Sequence, residues 1–268
     1  MSQTILQIEQ HARRMRREVI RMIALAGSGH PASSLGLCDV FATLYFEVLR
    51  YNPRRADDPE RDILVLSAGH AVPAQYAALA EAGLIPEAEL ATLRQFGSRL
   101  QGHPEREKLA WLETTSGPLG SGLSEAAGMA WAIDKKRFVY CIMGDGELDE
   151  GNIWEGAMFA SKYSLGNLIG IVDRNGIQLD GDTENIMPLE DLRAKWEAFG
   201  WQVLEIDGNN VQSFIEACAA ARAETERPSL ILAHTVPGKG VSFMENDYRW
   251  HGQAPDEAQV RKALEGLK

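Results

Sequence analysis

The chain has 268 residues, 45% of them hydrophobic and 24% charged, the proportions of an ordinary globular protein. At that length roughly three quarters of the unfolded surface is buried on folding, so a core forms without staples, and collagen, coiled coil and general disorder are excluded. Lys and Arg number 27 against 38 Asp and Glu, a net charge of −11, which is the wrong sign for a nucleic-acid-binding surface.

The first predicted element is a helix. Ile8, Ala12, Met15, Val19, Met22, Ile23 and Ala26 recur at steps of three and four, as on one helical face. Arg13, Arg14, Arg16 and Arg17 then lie mostly on the solvated side. These arginines start too late for a secretory leader, and Arg21 interrupts the apolar run. No stretch approaches the roughly 20 apolar residues of a membrane span. Cys38, Cys141 and Cys218 are odd in number, widely spaced and without a C-x-x-C pair, which points to a reducing compartment, the cytoplasm.

Gly27-Ser28-Gly29-His30-Pro31 ends the first helix. A second helix is expected over 34–49, stopping at Asn52-Pro53. Residues 62–67 (DILVLS) read as a buried strand, followed by Gly69-His70 and an Ala-rich helix to about Ala82. The stretch 94–124 carries Gly97, Gly102, Pro104, Gly117, Pro118, Gly120 and Gly122 and reads as a loop. A loop so long within a domain is usually functional or disordered. Strands are then expected over 138–143, 168–173, 202–206 and 229–234, with helices over 152–163, 190–199 and 211–224. Continuous apolar strands alternating with helices indicate an α/β domain spanning 1–268, with a mostly parallel central sheet covered on both faces. Ligands of such sheets bind beyond the carboxyl ends of the strands. His70, Asp145, Asn175 and the loop after His234 all fall there.

No Walker loop, H-E-x-x-H or C-x-x-C occurs. Gly120-Ser121-Gly122-Leu123-Ser124-Glu125 lacks the last glycine of a dinucleotide fingerprint and the strand before it. Asp173-Arg174-Asn175-Gly176 begins like a calcium loop, but Ile177 occupies the third ligand position. What remains is Gly144-Asp145-Gly146-Glu147 after one strand and Asn175 after the next, 30 residues beyond Asp145. Each piece alone is an ordinary turn. Together, with Glu150 nearby, they offer a carboxylate and an amide carbonyl, hard oxygen donors of the kind Mg²⁺ takes alongside substrate phosphates. Such an ion lets an acidic protein hold an anionic cofactor. Four of the six histidines, His30, His70, His103 and His251, adjoin glycine or proline in loops. A single loop histidine is usually a surface residue, but four around one anion site suit proton transfer near neutral pH. His11 on the basic helix and His234 at a strand end are assigned no part in it.

Gly144-Asp145-Gly146-Glu147 with Asp173-Arg174-Asn175 resembles the thiamine-diphosphate motif. The resemblance extends to Ser28-Gly29-His30-Pro31, Ser67-Ala68-Gly69-His70, Gly102-His103-Pro104-Glu105, Gly117-Pro118-Leu119-Gly120-Ser121-Gly122 and Trp250-His251-Gly252. In order from about residue 20 to about 255, these blocks are similar to the N-terminal, diphosphate-binding half of transketolase. The resemblance implies that Asp145, Asn175 and the carbonyl of Ile177 hold Mg²⁺, or Ca²⁺ or Mn²⁺ in its place. It implies that Ser33, His70, Gly146 and Gly117, Pro118 and Leu119 contact thiamine diphosphate. His30, His103 and His251 would meet sugar hydroxyls and handle protons, and Glu150 would lie near the pyrimidine or at a dimer interface. Lys239, in Val236-Pro237-Gly238-Lys239, stands where some members carry a Lys or His for the diphosphate.

Transketolases continue into pyrimidine-binding and C-terminal domains, which supply the glutamate that activates the cofactor ring and the arginines for sugar phosphates. The resemblance therefore implies half of a split transketolase, completed by a C-terminal subunit in a two-plus-two heterotetramer and acting on sugar phosphates. No nucleic-acid or membrane partner is expected. Rival expectations are a deoxyxylulose-phosphate-synthase-like subunit, an alpha subunit of a 2-oxo-acid dehydrogenase, and a cofactor-binding remnant without activity.

Overall fold

A computed structural model describes residues 3–267. Strands β1 (Ile63–Leu66), β2 (Val139–Gly144), β3 (Leu168–Arg174), β6 (Gln202–Asp207) and β7 (Ser229–His234) form one sheet in the order β1-β2-β3-β7-β6. Every pairing in it is parallel. A short antiparallel hairpin, β4 (Ile177–Gln178) with β5 (Gly181–Asp182), follows β3.

Side chains alternate across the sheet and so divide the interior in two. Tyr140, Ile142, Ile169, Ile171, Ile231 and Ala233 join the core built with α1 (Ile5–Ala26), α3 (Cys38–Thr43), α4 (Val72–Glu81) and α9 (Val211–Ala223). Cys141, Met143, Leu168, Val172, Leu230 and Leu232 join the other, with α5 (Gly122–Ala132), α6 (Gly151–Lys162) and α8 (Leu192–Ala198). Burial on both faces explains why β1, β2, β3 and β7 read as nearly unbroken apolar runs, whereas the edge strand β6 is half exposed and carries Gln202, Glu205 and Asp207. The expected α/β fold is the observed one.

The first helix carries a capping box between Thr4 and Gln7 and ends at Gly27, whose φ of 65° lies in the left-handed region. Its predicted apolar face is buried, but Arg16 is not on the solvated side as expected. It is buried and ion-paired with Asp39, because a guanidinium beneath a helix is tolerated only with a carboxylate opposite. The helix expected over 34–49 starts earlier and is broken, into α2 (Pro31–Gly36), α3 and a π-turn at Leu44–Val48. Pro31 opens α2 rather than merely ending α1, since the first turn of a helix needs no N–H there. Arg17 donates to the carbonyls of Leu264 and Leu267 at 3.1 and 3.2 Å and so ties down α10 (Glu257–Gly266), a helix beyond the elements expected from sequence. No helix among the described residues is long and apolar enough to cross a membrane.

The long loop before α5 is irregular, as expected, yet it is packed. Leu100, Leu109 and Leu112 are buried in the core. The Ser116 hydroxyl donates to Leu66 O at 2.8 Å, and the Ser116 amide to Pro104 O at 3.1 Å. These bonds draw residues 103–117 over the carboxyl end of β1.

Candidate active site

The carboxyl ends of β1, β2, β3 and β7 lie in sequence along the sheet. Gly144 on β2 is in register with Asp173 on β3, which sets Asp145 beside Asn175. Asp145 is 1% exposed. Its carboxylate accepts from Gly146 N at 2.8 Å, Gly176 N at 2.7 Å and Arg174 Nη1 at 3.0 Å. Burial nevertheless raises its pKa, against the pull of those donors. Asn175 Oδ1 accepts from Ile177 N at 3.0 Å, and its Nδ2 donates to Asp173 Oδ2 at 2.8 Å and Ser33 Oγ at 3.4 Å. Asp173, fully buried, also accepts from the Thr235 hydroxyl, and burial lifts its carboxyl to about 7.

A cavity of about 130 Å³ opens here, lined by Ser33, His70, Leu119, Asp145, Gly146, Asn175, Ile177 and His251 among the expected residues. Gly144, Glu147, Gln178 and Leu179 complete the lining. Gly144 presents no side chain to the cavity, and Ala68 and His70, the nearest neighbours of a Cβ position there, stand 3.9 Å away. A ligand's anionic group can therefore approach the backbone closely.

His30 is the hub of the histidine cluster. Its ring centroid lies 5.3 Å from that of His70, 5.7 Å from His251 and 6.2 Å from His103, while His70 and His251 are 5.1 Å apart. Different elements deliver each ring. His30 caps α2, His70 lies in the turn Gly69–Ala71 after β1, and His251 ends the turn Tyr248–His251. That last turn is anchored by Trp250, whose indole donates to Phe243 O at 3.0 Å. Burial lowers the pKa of all four rings. His30 falls to about 4, with His251, Arg94 and His103 adding to the effect of burial. The imidazoles are thus neutral at physiological pH and available as proton acceptors. His30 Nδ1 and His251 Nδ1 are buried with no hydrogen-bond partner among the described residues.

Residues 8–267 match the family model for the thiamine diphosphate binding domain of transketolase. The chain belongs to the transketolase family. It is 41% identical, over all of its own length and 98% of the relative's, to the 6-deoxy-6-sulfo-D-fructose transketolase subunit SqwG of Clostridium sp.. It is 39% identical to an apulose-4-phosphate transketolase subunit of Phocaeicola vulgatus, over 96% of this chain and 92% of that one. Among solved structures, Campylobacter jejuni transketolase superposes with a TM-score of 0.92 at 34% identity, covering 99% of this chain and 43% of that chain. The chain thus spans about two fifths of that transketolase.

As a thiamine diphosphate-binding domain, the structure gathers most of the expected residues. His30 and His103 join the lining residues through the ring cluster. Gly117 packs beside His103 at φ 153°, and Pro118 is exposed on the same loop. Glu150 is exposed and caps α6 away from the cavity lining, with its Cβ against Gly120. Lys239 does not line the cavity; it is half-buried on a turn where Gly238 N donates to Ala32 O at 2.9 Å. His11 pairs with Glu81, and His234 with Glu205, each at 2.7 Å and outside the cluster. Sequence reasoning misses Glu147 as a site residue, because a carboxylate in a turn motif looks solvated. Gln178 and Leu179 give no signal in the sequence, since the β4–β5 hairpin alone brings them to the cavity.

The residues present fit thiamine diphosphate. The two unpartnered imidazole nitrogens, His30 Nδ1 and His251 Nδ1, are unsatisfied features that a polar ligand would complete.

Proposed function

We propose that this chain is the diphosphate-binding subunit of a two-chain transketolase that moves a two-carbon ketol unit from a ketose phosphate to an aldose acceptor. The observation that carries the reading is that the site is half built. Its cavity falls below the roughly 300–1,000 Å³ that encloses a ligand of drug size, and its rim is apolar, with Leu119 42% and Leu179 65% exposed. Relatives named as transketolase subunits match this chain over nearly their whole length. The relatives named above are transketolases, which favours ketol transfer over the decarboxylating-synthase and 2-oxo-acid dehydrogenase readings.

Thiamine diphosphate, when bound, supplies the nucleophilic centre and electron sink that ketol transfer needs. Asp145, Asn175 and the Ile177 carbonyl would hold a divalent ion, Mg²⁺ by its preference for hard oxygens shared with phosphates. His70, Ser33, Gly146 and the loop carrying Gly117, Pro118 and Leu119 would seat the cofactor. His30, His103 and His251, held neutral by burial, would accept protons from sugar hydroxyls and return them. The partner is a C-terminal transketolase subunit bearing the pyrimidine-binding and C-terminal domains, in a two-plus-two assembly. We place the complex in the cytoplasm; three buried, unpaired cysteines support that reading.

The test mixes purified chain, thiamine diphosphate and Mg²⁺ with a C-terminal transketolase subunit. Ketol transfer should be absent without the partner, rise as it is added and level off at equal chain numbers. Robust transfer by this chain alone, or no change in its mass and activity on mixing, would overturn the proposal.

A further inference from the structure

Arg94 has a backbone φ of 60°, in the left-handed region where residues other than glycine are uncommon. Its amide donates to Leu100 O at 2.9 Å and closes the loop 94–100. The side chain crosses Gly102: a Cβ there would lie 2.7 Å from Arg94 Cζ and 2.8 Å from Nε. The guanidinium thus fills the place of a side chain on the residue before His103. Nη2 reaches toward Gly102 O at 3.4 Å, and Nε is buried without a partner. Arg99 and Arg106 nearby are paired with Glu89 and Glu113. No carboxylate among the described residues is ion-paired with Arg94. Backbone strain of this kind clusters at functional sites.

The groups facing the two nearest rings are few. His103 lies against His30, and the Arg94 guanidinium sits across the neighbouring Gly102 and bears on the ring electrostatically. The His30 ring lies against those of His70, His103 and His251, and the Arg94 cation bears on it electrostatically. Glu105 and Arg94 both bear on the Tyr76 hydroxyl, with opposite sign. We infer that Arg94 is a positioning residue: its guanidinium, lying across Gly102, seats the Gly102–His103 segment and, as a fixed cation, adds to burial in favouring the unprotonated form of His103 and His30 that accepts protons. This rests on the reading of those histidines as proton-handling groups. A neighbouring positive charge disfavours the imidazolium, and Arg94 acts in that direction on both rings, after burial.

The test follows the imidazole resonances of His103 and His30 in the full chain by NMR as pH is varied. Arg94→Gln should raise both midpoints, that of His103 by on the order of half a pH unit, whereas Arg94→Lys, which keeps the charge, should leave them in place. In the reconstituted complex the acid limb of kcat/KM should move up in parallel. Unmoved midpoints in the glutamine variant overturn the inference, and so do equal shifts in both variants. Should Arg94→Gln not fold, Gly102→Ala decides: its Cβ displaces the guanidinium, and a midpoint that stays put overturns the inference. Titration requires no ketol transfer, so failure of the transketolase reading would appear separately, as an inactive wild-type complex.

Discussion

The carboxylate of Glu147 accepts the backbone amide of Gly120 at 2.8 Å, joining the turn after β2 to the loop expected to seat the cofactor. The same carboxylate accepts from Gly144 N at 3.1 Å and from the Ser67 hydroxyl, and Ser67 Oγ accepts in turn from Gly122 N at 3.1 Å. One buried acid therefore holds the ends of β1 and β2, the loop and the first residue of α5 together. Gly120 must be glycine here, with φ 83° and a Cβ position only 2.6 Å from Glu150 Cβ.

Removing that clamp leaves buried donors unpaired. Glu147→Ala should lower stability by about 1–3 kcal/mol and weaken thiamine diphosphate binding as the loop loosens. Thermal melting and calorimetric titration of the reconstituted complex measure the two effects. Unchanged melting together with unchanged affinity would show that the loop is held by other contacts.

Asp145 should matter more for the ion than for the fold. Asp145→Asn keeps the shape of the side chain and removes its charge. Cofactor affinity of the complex should then lose its dependence on added Mg²⁺, and the melting temperature should fall only modestly as the Arg174 ion pair is lost, Arg174 keeping its pair with Glu184. If affinity still rises with Mg²⁺ as in the unmodified chain, the ion is held elsewhere.

The histidines should separate by role. His103→Ala should lower turnover by roughly two to four powers of ten, the usual weight of a general acid–base group, with cofactor affinity spared. His70, which lines the cavity, should do the reverse when replaced by alanine and weaken cofactor binding first. Two variants with the same kinetic signature would contradict this division.

Acid should destabilise the isolated chain over a defined window. His30 has its pKa lowered from 6.5 to about 4, so between those values the unfolded chain binds a proton that the folded chain refuses. Stability then rises with pH through that window and falls as pH drops from about 6.5 toward 4. Denaturant melts at stepped pH would show the slope, and His30→Phe should reduce it, leaving the part that His70, His103 and His251 contribute. An identical slope in the variant would assign the acid sensitivity to other groups.

Much of the fold is legible in the chain because the sheet strands other than β6 are buried on both faces. Runs such as 139–143 and 229–233 leave no polar face to confuse a strand with an amphipathic helix. The start of α2 is not legible, since Pro31 stops one helix and opens another, and local pattern cannot say which. Nor is the burial of Arg16, because its partner, Asp39, lies 23 residues away.

The sequence by itself determined that His70, Asp145 and Asn175 belong past strand ends and that His30, His103 and His251 lie in loops, because glycine and proline punctuation marks where strands and helices stop. Only the tertiary structure decided their company. Strand order and the register of Gly144 with Asp173 set Asp145 beside Asn175, and the turns at His30, His70 and His251 converge only once α2 packs over the sheet ends. Glu147, Arg94 and the β4–β5 hairpin entered the site the same way. Their contacts join segments far apart in the chain, and a local sequence pattern carries no information about which distant backbone a side chain will meet.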